Sequence, residues 1–298
     1  MSGKKYIFNS FLVILLAASC FCMSGFSGAG PAAPISSGDK AKEILNKMLL
    51  ACDNLKTAKY TLRKKERTGD HLFESEVIVK LQVKPYKTYI YSVKPNPGAE
   101  AIYVAGENGG NVVVSPNKFP YVTLRLSPYG SLLRDNQHHT SLDMGFTYIA
   151  TIMKALIKND PAGFYSMLSY DGEIELNKRR VYALTFDNKK FGFVSYTVQK
   201  GETITSIATR MCVSDYMILK MNPQCSDYED VTPGQTILVP NAYAKKMTLY
   251  VDKLYNLPLS QVIYDDKGLY EQYELVSFIP NPPLKPEEFT ETYSEYKF

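Results

Sequence analysis

Between residues 39 and 55 the apolar positions Ile44, Met48, Cys52 and Leu55 recur at three- and four-residue spacing, which predicts an amphipathic helix capped by Ser37 or Asp39. The period then changes to two. Tyr60 and Leu62 alternate with polar neighbours, Thr68-Gly69-Asp70 turns the chain, and Val77, Val79, Leu81 and Val83 form an alternating face that Tyr89 and Tyr91 continue. Residues 101–105 and 111–115 flank Glu107-Asn108-Gly109-Gly110, a hairpin signal, so the first half reads as an antiparallel meander. Helical spacing returns over residues 143–157, where Phe146, Ile149, Met153 and Leu156 share one face suited to the concave side of that sheet. Strands follow at 173–176, 180–186, 247–251, 261–264 and 269–275, with Asp266-Lys267-Gly268 turning the last pair. The class is α+β, a curved antiparallel half-barrel sheet with helices on its concave side.

The interval between residues 186 and 247 has its own pattern. Tyr196 to Val198 reads as a short strand and the KGET turn opens a helix with Ile204, Ile207 and Ala208 on its apolar side. Tyr216, Leu219 and Met221 mark a second helix, Asn222 and Pro223 stop it, and Pro233-Gly234 turns the chain into a closing strand at 237–239. This is a βααβ unit nested in a loop of the larger sheet, a position where insertion costs little.

The string YTVQKGETITSIATRM, the Asn222 stop and the ending TPGQTILVP resemble the LysM family. That resemblance implies a βααβ domain that binds N-acetylglucosamine polymers, peptidoglycan or chitin, in a shallow groove between the first strand-helix loop and the second helix-strand loop. It places Gly201, Glu202, Thr203, Ile204, Asn222 and Pro223 along the groove. Glycine and short polar residues suit such a site because backbone groups must approach sugar amides and hydroxyls closely. Two features depart from the family: the loop from Asn222 to Gly234 is long, and Cys212 stands where glycine is common. A purely structural reading also stands, in which Thr203 caps one helix and Asn222 ends the other.

Outside the insert, KKERTGD, KPYKTYIY, GAEAIYVAGENGG, LYVDKLYNLPLSQVIYDDKG and PEEFTETYSEYKF resemble the LolA-like group of envelope proteins and an uncharacterised bacterial family within it. The resemblance implies an incomplete β-barrel closed by helices that holds an acyl chain or another apolar ligand. Val77, Val79, Leu81, Tyr89 and Tyr91 would line that cavity or fill a core. The organisation is then residues 1–33 as signal and start of a linker, 34–194 and 241–298 as the two parts of the host half-barrel, and 195–240 as the inserted module.

Lys4 and Lys5 precede an apolar run, residues 11–18, too short to span a bilayer and ending in small residues, as an export signal does. Ala17-Ala18-Ser19-Cys20 resembles a lipobox and makes Cys20 a lipidation candidate; cleavage after Ala29 or Ala33 is the alternative. Residues 25–38 are rich in Gly, Pro, Ser and Ala, as a flexible tether is. The expected location is the periplasm or cell envelope, with membrane attachment only through a lipid on Cys20. Loss of the two signal lysines takes the formal charge from +4 to +2 with no basic block, which disfavours nucleic acid as a partner. Of the remaining cysteines, Cys52 reads as a core thiol, while Cys212 and Cys225 flank the second helix of the insert and are disulfide candidates if the chain turns back there.

Catalytic chemistry finds little to stand on. The histidines are His71, His138 and His139; the adjacent pair with Asp143 lacks ligand-like spacing for a metal. Glu173 and Glu175 sit in a short alternating stretch beside basic residues and read as a solvated strand face rather than a glycosidase pair. Neither a phosphate loop nor a GxSxG elbow occurs, and no cofactor is implied. The twenty-three tyrosines suit strands, where a ring packs and its hydroxyl meets a wet edge. The expected function is a non-catalytic envelope protein that grips peptidoglycan through the insert. The alternatives are a carrier or sensor of an apolar ligand and an accessory of a wall-modifying enzyme.

Overall fold

The computed structural model describes residues 36–119 and 121–298. The export signal, the cleavage positions and the Cys20 lipidation candidate lie outside these residues. Helix α1, Ser37–Asn54, starts two residues earlier than its 39–55 pattern suggests because the Ser36 hydroxyl, rather than Ser37 or Asp39, is the cap and accepts the Asp39 N–H. Its buried stripe is Ala41, Ile44, Leu45, Met48, Leu49 and Cys52. Six strands follow: β1 Thr57–Thr68, β2 His71–Gln82, β3 Lys87–Lys94, β4 Glu100–Val104, β5 Val112–Ser115 and β6 Leu124–Leu126. Then come α2 Ser131–Arg134, α3 Thr147–Asn159, α4 Pro161–Ser166, β7 Leu168–Leu176 and β8 Arg179–Asp187. The insert contributes β9 Phe193–Thr197, α5 Ile204–Met211, α6 Asp215–Met221 and β10 Thr236–Pro240. The chain closes with β11 Lys246–Asp252, β12 Pro258–Asp265 and β13 Gly268–Pro280.

Eleven of these strands form one open antiparallel sheet in the order β6-β5-β4-β3-β2-β1-β13-β12-β11-β8-β7, with β9 and β10 paired separately. Meander connections account for most neighbours. Two are long-range: β1 pairs with β13, and β8 pairs with β11 so that Asp187 stands opposite Lys246. The chain therefore leaves the sheet at Asp187 and re-enters beside the same position, which is why an entire folded unit fits there without disturbing the ladder.

Helices α1 and α3 pack on one face of the sheet, against Tyr60, Leu62, Val79, Leu81, Leu184, Leu249 and Leu259. Tyr89 and Tyr91 do not continue the Val77, Val79 and Leu81 face. Tyr89 is paired with Lys80 and Tyr91 with Ile78, and directly paired residues share a face, so both tyrosines point to the opposite side. There Tyr89 packs with Ile102, Val104 and Phe289 and stacks on Tyr296, ring centroids 3.8 Å apart, as the C-terminal segment straps the sheet. Among the described residues no helix is long and apolar enough to cross a membrane.

The helix expected from residue 143 begins only at Thr147. Thr140 and Asp143 cap each other in a 3-10 turn at Ser141–Asp143, and Gly145, at φ +90, redirects the chain before α3. A Cβ on Gly145 would lie 2.5 Å from Leu81 Cδ2, a fully packed core side chain. Gly145→Ala is expected to lose about 2–3 kcal/mol of stability in urea melts, because steric overlap adds to the positive φ. A loss under about 0.5 kcal/mol would show that this turn relaxes freely.

Candidate functional site

The insert builds its own small core from Val198, Ile204, Ile207, Ala208, Val213, Ile218, Cys225, Ile237 and Val239. Its first loop is held by reciprocal capping: Thr203 Oγ1 accepts the Ser206 N–H at 3.1 Å and Ser206 Oγ accepts the Thr203 N–H at 2.9 Å. Gly201, at φ +80, supplies the left-handed turn before it. The Glu202 carboxylate accepts the Gln199 N–H at 2.8 Å, the Tyr196 hydroxyl at 2.7 Å and an Arg210 N–H at 2.8 Å. Those donors, Gln199 foremost, hold its carboxyl below the usual range.

The six residues placed along the groove separate into two groups. Gly201 and Pro223 are exposed, and Glu202 and Thr203 are half-buried. Ile204 and Asn222 face inward, 0% and 2% exposed. Asn222 staples α6 to β10: its amide donates to the Ile218 and Leu238 carbonyls at 2.7 and 2.8 Å and accepts the Leu238 N–H at 2.8 Å. The Ile204 N–H already donates to the Tyr228 carbonyl at 2.8 Å, so the long loop after Asn222 folds back over the start of α5.

Cys212 and Cys225 are free thiols. Cys212 is the left-handed C-cap of α5, φ 56, where glycine is favoured, and its thiol donates to Thr209. Cys225 is buried in the insert's core and its sulfur faces Gln235 Nε2 at 3.5 Å, so the two cysteines have different local partners and no bridge forms.

The insert is docked against the host. Arg134 donates from both terminal nitrogens to Asp215 at 3.0 and 2.9 Å, and its guanidinium lies 3.6 Å from the centre of the Tyr228 ring. Thr205 donates to the same carboxylate at 2.9 Å. Tyr216 and Met217 of α6 bury against Ile263 and Tyr270, with Phe193 and Tyr243 at the edge. The His138 ring is sandwiched between Tyr216 and Tyr270, centroids 4.3 and 4.4 Å away. Between residues 127–136 of the host and Thr203, Ser206 and residues 226–229 of the insert lies a cleft of about 990 Å³.

Beneath this seam sits a buried polar cluster that sequence spacing did not disclose. His138 Nδ1 lies 2.8 Å and His139 Nε2 3.5 Å from Glu271 Oε1, and the Tyr243 hydroxyl donates to the same carboxylate at 3.1 Å. Adjacent histidines thus meet one acid 133 positions away from His138, brought there by the register of β13. Asp143 lies 4.0 Å from His139 Nδ1 but serves as the Thr140 capping partner. Among the described residues no group of three or more His, Cys, Asp or Glu side chains is arranged to hold a metal ion. Glu173 pairs with Arg180 and Lys253 at the rim of the sheet. Two cavities of about 80 and 90 Å³ lie under α3 on either side of His139, Tyr148 and Ile149.

Burial alone would lower the His139 pKa, but the Glu271 charge and hydrogen bond overcome it and raise the imidazole from 6.5 to about 9. Burial likewise opposes the Glu271 charge, and the His139 and His138 contacts still pull its carboxyl from 4.5 down to about 2. A raised histidine stabilises the fold fully below its unfolded value and loses that contribution as pH rises through the folded one. A lowered carboxyl stabilises above its unfolded value and loses that contribution as pH falls through the folded one. The thermal midpoint is therefore expected to be highest between about pH 4.5 and 6.5, to decline as pH rises towards 9, and to decline again as pH falls towards 2. A midpoint that climbs between pH 6.5 and 9 would contradict this assignment.

An open antiparallel sheet covered by helices on one face, carrying a docked βααβ unit in one loop, defines an α+β architecture rather than a closed barrel. Residues 196–240 match the LysM domain model, and the insert is a LysM domain. Residues 56–204, half of the chain, match the family model described as a protein of unknown function, DUF1571, and the chain belongs to that family. No curated protein matches. Similar solved structures include the lipoprotein LppX from Mycobacterium tuberculosis, 11% identical, covering 83% of this chain and 97% of that one with a TM-score of 0.40. LprF from Mycobacterium bovis is 12% identical over 83% of this chain and 95% of that one, TM-score 0.41. A LolA superfamily protein from Nitrosomonas europaea is 12% identical over 85% of this chain and 98% of that one, TM-score 0.30. Likeness at this level carries no argument about ligand or role.

Proposed function

We propose that this protein is an exported, non-catalytic component of the cell envelope that holds peptidoglycan, or another N-acetylglucosamine polymer, through its LysM domain. The single observation that carries this reading is the LysM match over residues 196–240. The complete βααβ unit formed by β9, α5, α6 and β10 is consistent with it. Thr203, Gly201, Glu202 and Pro223 are the groove residues accessible to a sugar, whereas Ile204 and Asn222 support the groove from inside. The N-terminal apolar run after Lys4 and Lys5 supports export.

A carrier role for the host sheet has less support. The cavities of about 80 and 90 Å³ under α3 are each smaller than the roughly 150 Å³ that admits one benzene, so an acyl chain would require α3 to move away. Sedimentation of the full chain with insoluble peptidoglycan and with chitin tests the glycan reading. Co-sedimentation, competed by soluble N-acetylglucosamine oligomers, is expected. Protein that stays in the supernatant with both glycans would refute it.

A further inference from the structure

The cleft between insert and host is bounded on one side by the LysM loops and on the other by a host segment that lies outside the LysM match over residues 196–240. Tyr129 and Leu132, on or beside α2, line it while remaining 53% and 75% exposed. Thr203 and Asp227 line the opposite wall. The Tyr129 and Leu132 side chains are therefore free to cover an apolar face of a ligand held in the cleft. The two walls are fixed to each other, because Arg134 at the end of α2 is paired with Asp215 and lies over Tyr228, both on the insert. The cleft therefore does not depend on a loosely tethered domain swinging into place.

We propose that host residues 127–136 form the second wall of the glycan site, so that an N-acetylglucosamine oligomer lies between Tyr129 and Leu132 on one side and Thr203 and Asp227 on the other. This deepens, and rests on, the glycan-binding reading above. The chemistry of the walls suits that ligand. A tyrosine ring and a leucine cover the C–H face of a pyranose, while Thr203, Asn136 and the Asp135 and Asp227 carboxylates supply partners for hydroxyl and acetamido groups. Arg134 is already paired with Asp215, and the Asp135, Asp227 and Glu229 carboxylates outnumber Lys220 along the walls, so uncharged N-acetylglucosamine stretches are favoured over sugars bearing acidic stems. The volume, about 990 Å³, is at the upper end of the roughly 300–1,000 Å³ usual for ligand sites and accommodates an oligomer rather than one ring.

The test is calorimetric titration of the full chain with a β-1,4-linked N-acetylglucosamine hexamer. Tyr129→Ala is expected to weaken binding about tenfold, as loss of a central aromatic contact does. Tyr129→Phe should retain binding, and Leu132→Ser should weaken it. The thermal midpoints of all three variants should stay at the wild-type value because these side chains are exposed in the free protein. If the wild type binds and both Tyr129→Ala and Leu132→Ser bind equally well, the host wall plays no part and the sugar sits on the LysM loops alone. If the wild type binds neither the hexamer nor sedimented peptidoglycan, the glycan reading itself fails and this site with it.

Discussion

Replacing Glu271 with leucine is expected to remove about 3–5 kcal/mol of stability, the largest single loss in this chain. The carboxylate is 0% exposed and is the common acceptor for His138, His139 and Tyr243. Leucine would strand the buried His138 ring nitrogen and remove the acceptor shared by the half-buried His139 and Tyr243 at once. His138 would also lose the contact that orients its ring between Tyr216 and Tyr270, so the damage should spread into α6. Urea melts at pH 6 measure the loss. Glu271→Gln, which keeps an acceptor but removes the charge, should fall between wild type and leucine and should flatten the decline of stability towards pH 9. A leucine variant within about 1 kcal/mol of wild type would mean that the cluster is less buried in solution than its geometry indicates.

Arg134→Ala should come next, with an expected loss of about 2–4 kcal/mol. Its side chain is 3% exposed and that of Asp215 is 15% exposed, so the pair is largely desolvated and alanine leaves Asp215 with Thr205 alone. The stack on Tyr228 goes as well. Amide hydrogen exchange distinguishes this from general destabilisation. Protection should fall in α5, α6 and the loop through Tyr228, while β1 and β2, whose core lies under α1, keep theirs. Equal loss across the sheet would show that insert and host unfold as one cooperative unit.

These two sites differ in how visible they are in the sequence. The LysM pattern is local: a turn glycine, a capping threonine and a helix-ending asparagine stand within one stretch of chain, and each does in the structure the backbone work its type permits. Asn222 illustrates the limit of that legibility, because its position was readable but its buried staple to Leu238 depends on β10 coming back alongside. His138 and His139 were visible as a pair and uninformative as one, since their acid partner arrives from β13. Nothing near Arg134 in sequence announces Asp215, 81 residues on.

The sequence by itself determined the local elements: the amphipathic α1, the alternating strands, the hairpin turns and the nested βααβ unit, because periodicity and turn chemistry act over a few residues. Tertiary structure alone decided which side of β3 faces the helices. A strand's side chains alternate strictly, and only the pairing of Tyr89 with Lys80 sets the phase that sends Tyr89 and Tyr91 away from Val79 and Leu81. It alone also decided that the insert is clamped rather than tethered, because Arg134, His138 and Glu271 meet the insert or one another only after β1, β13, β12, β11 and β8 have aligned. Spacing along a chain carries no record of register between distant strands, and register is what brings these charges together.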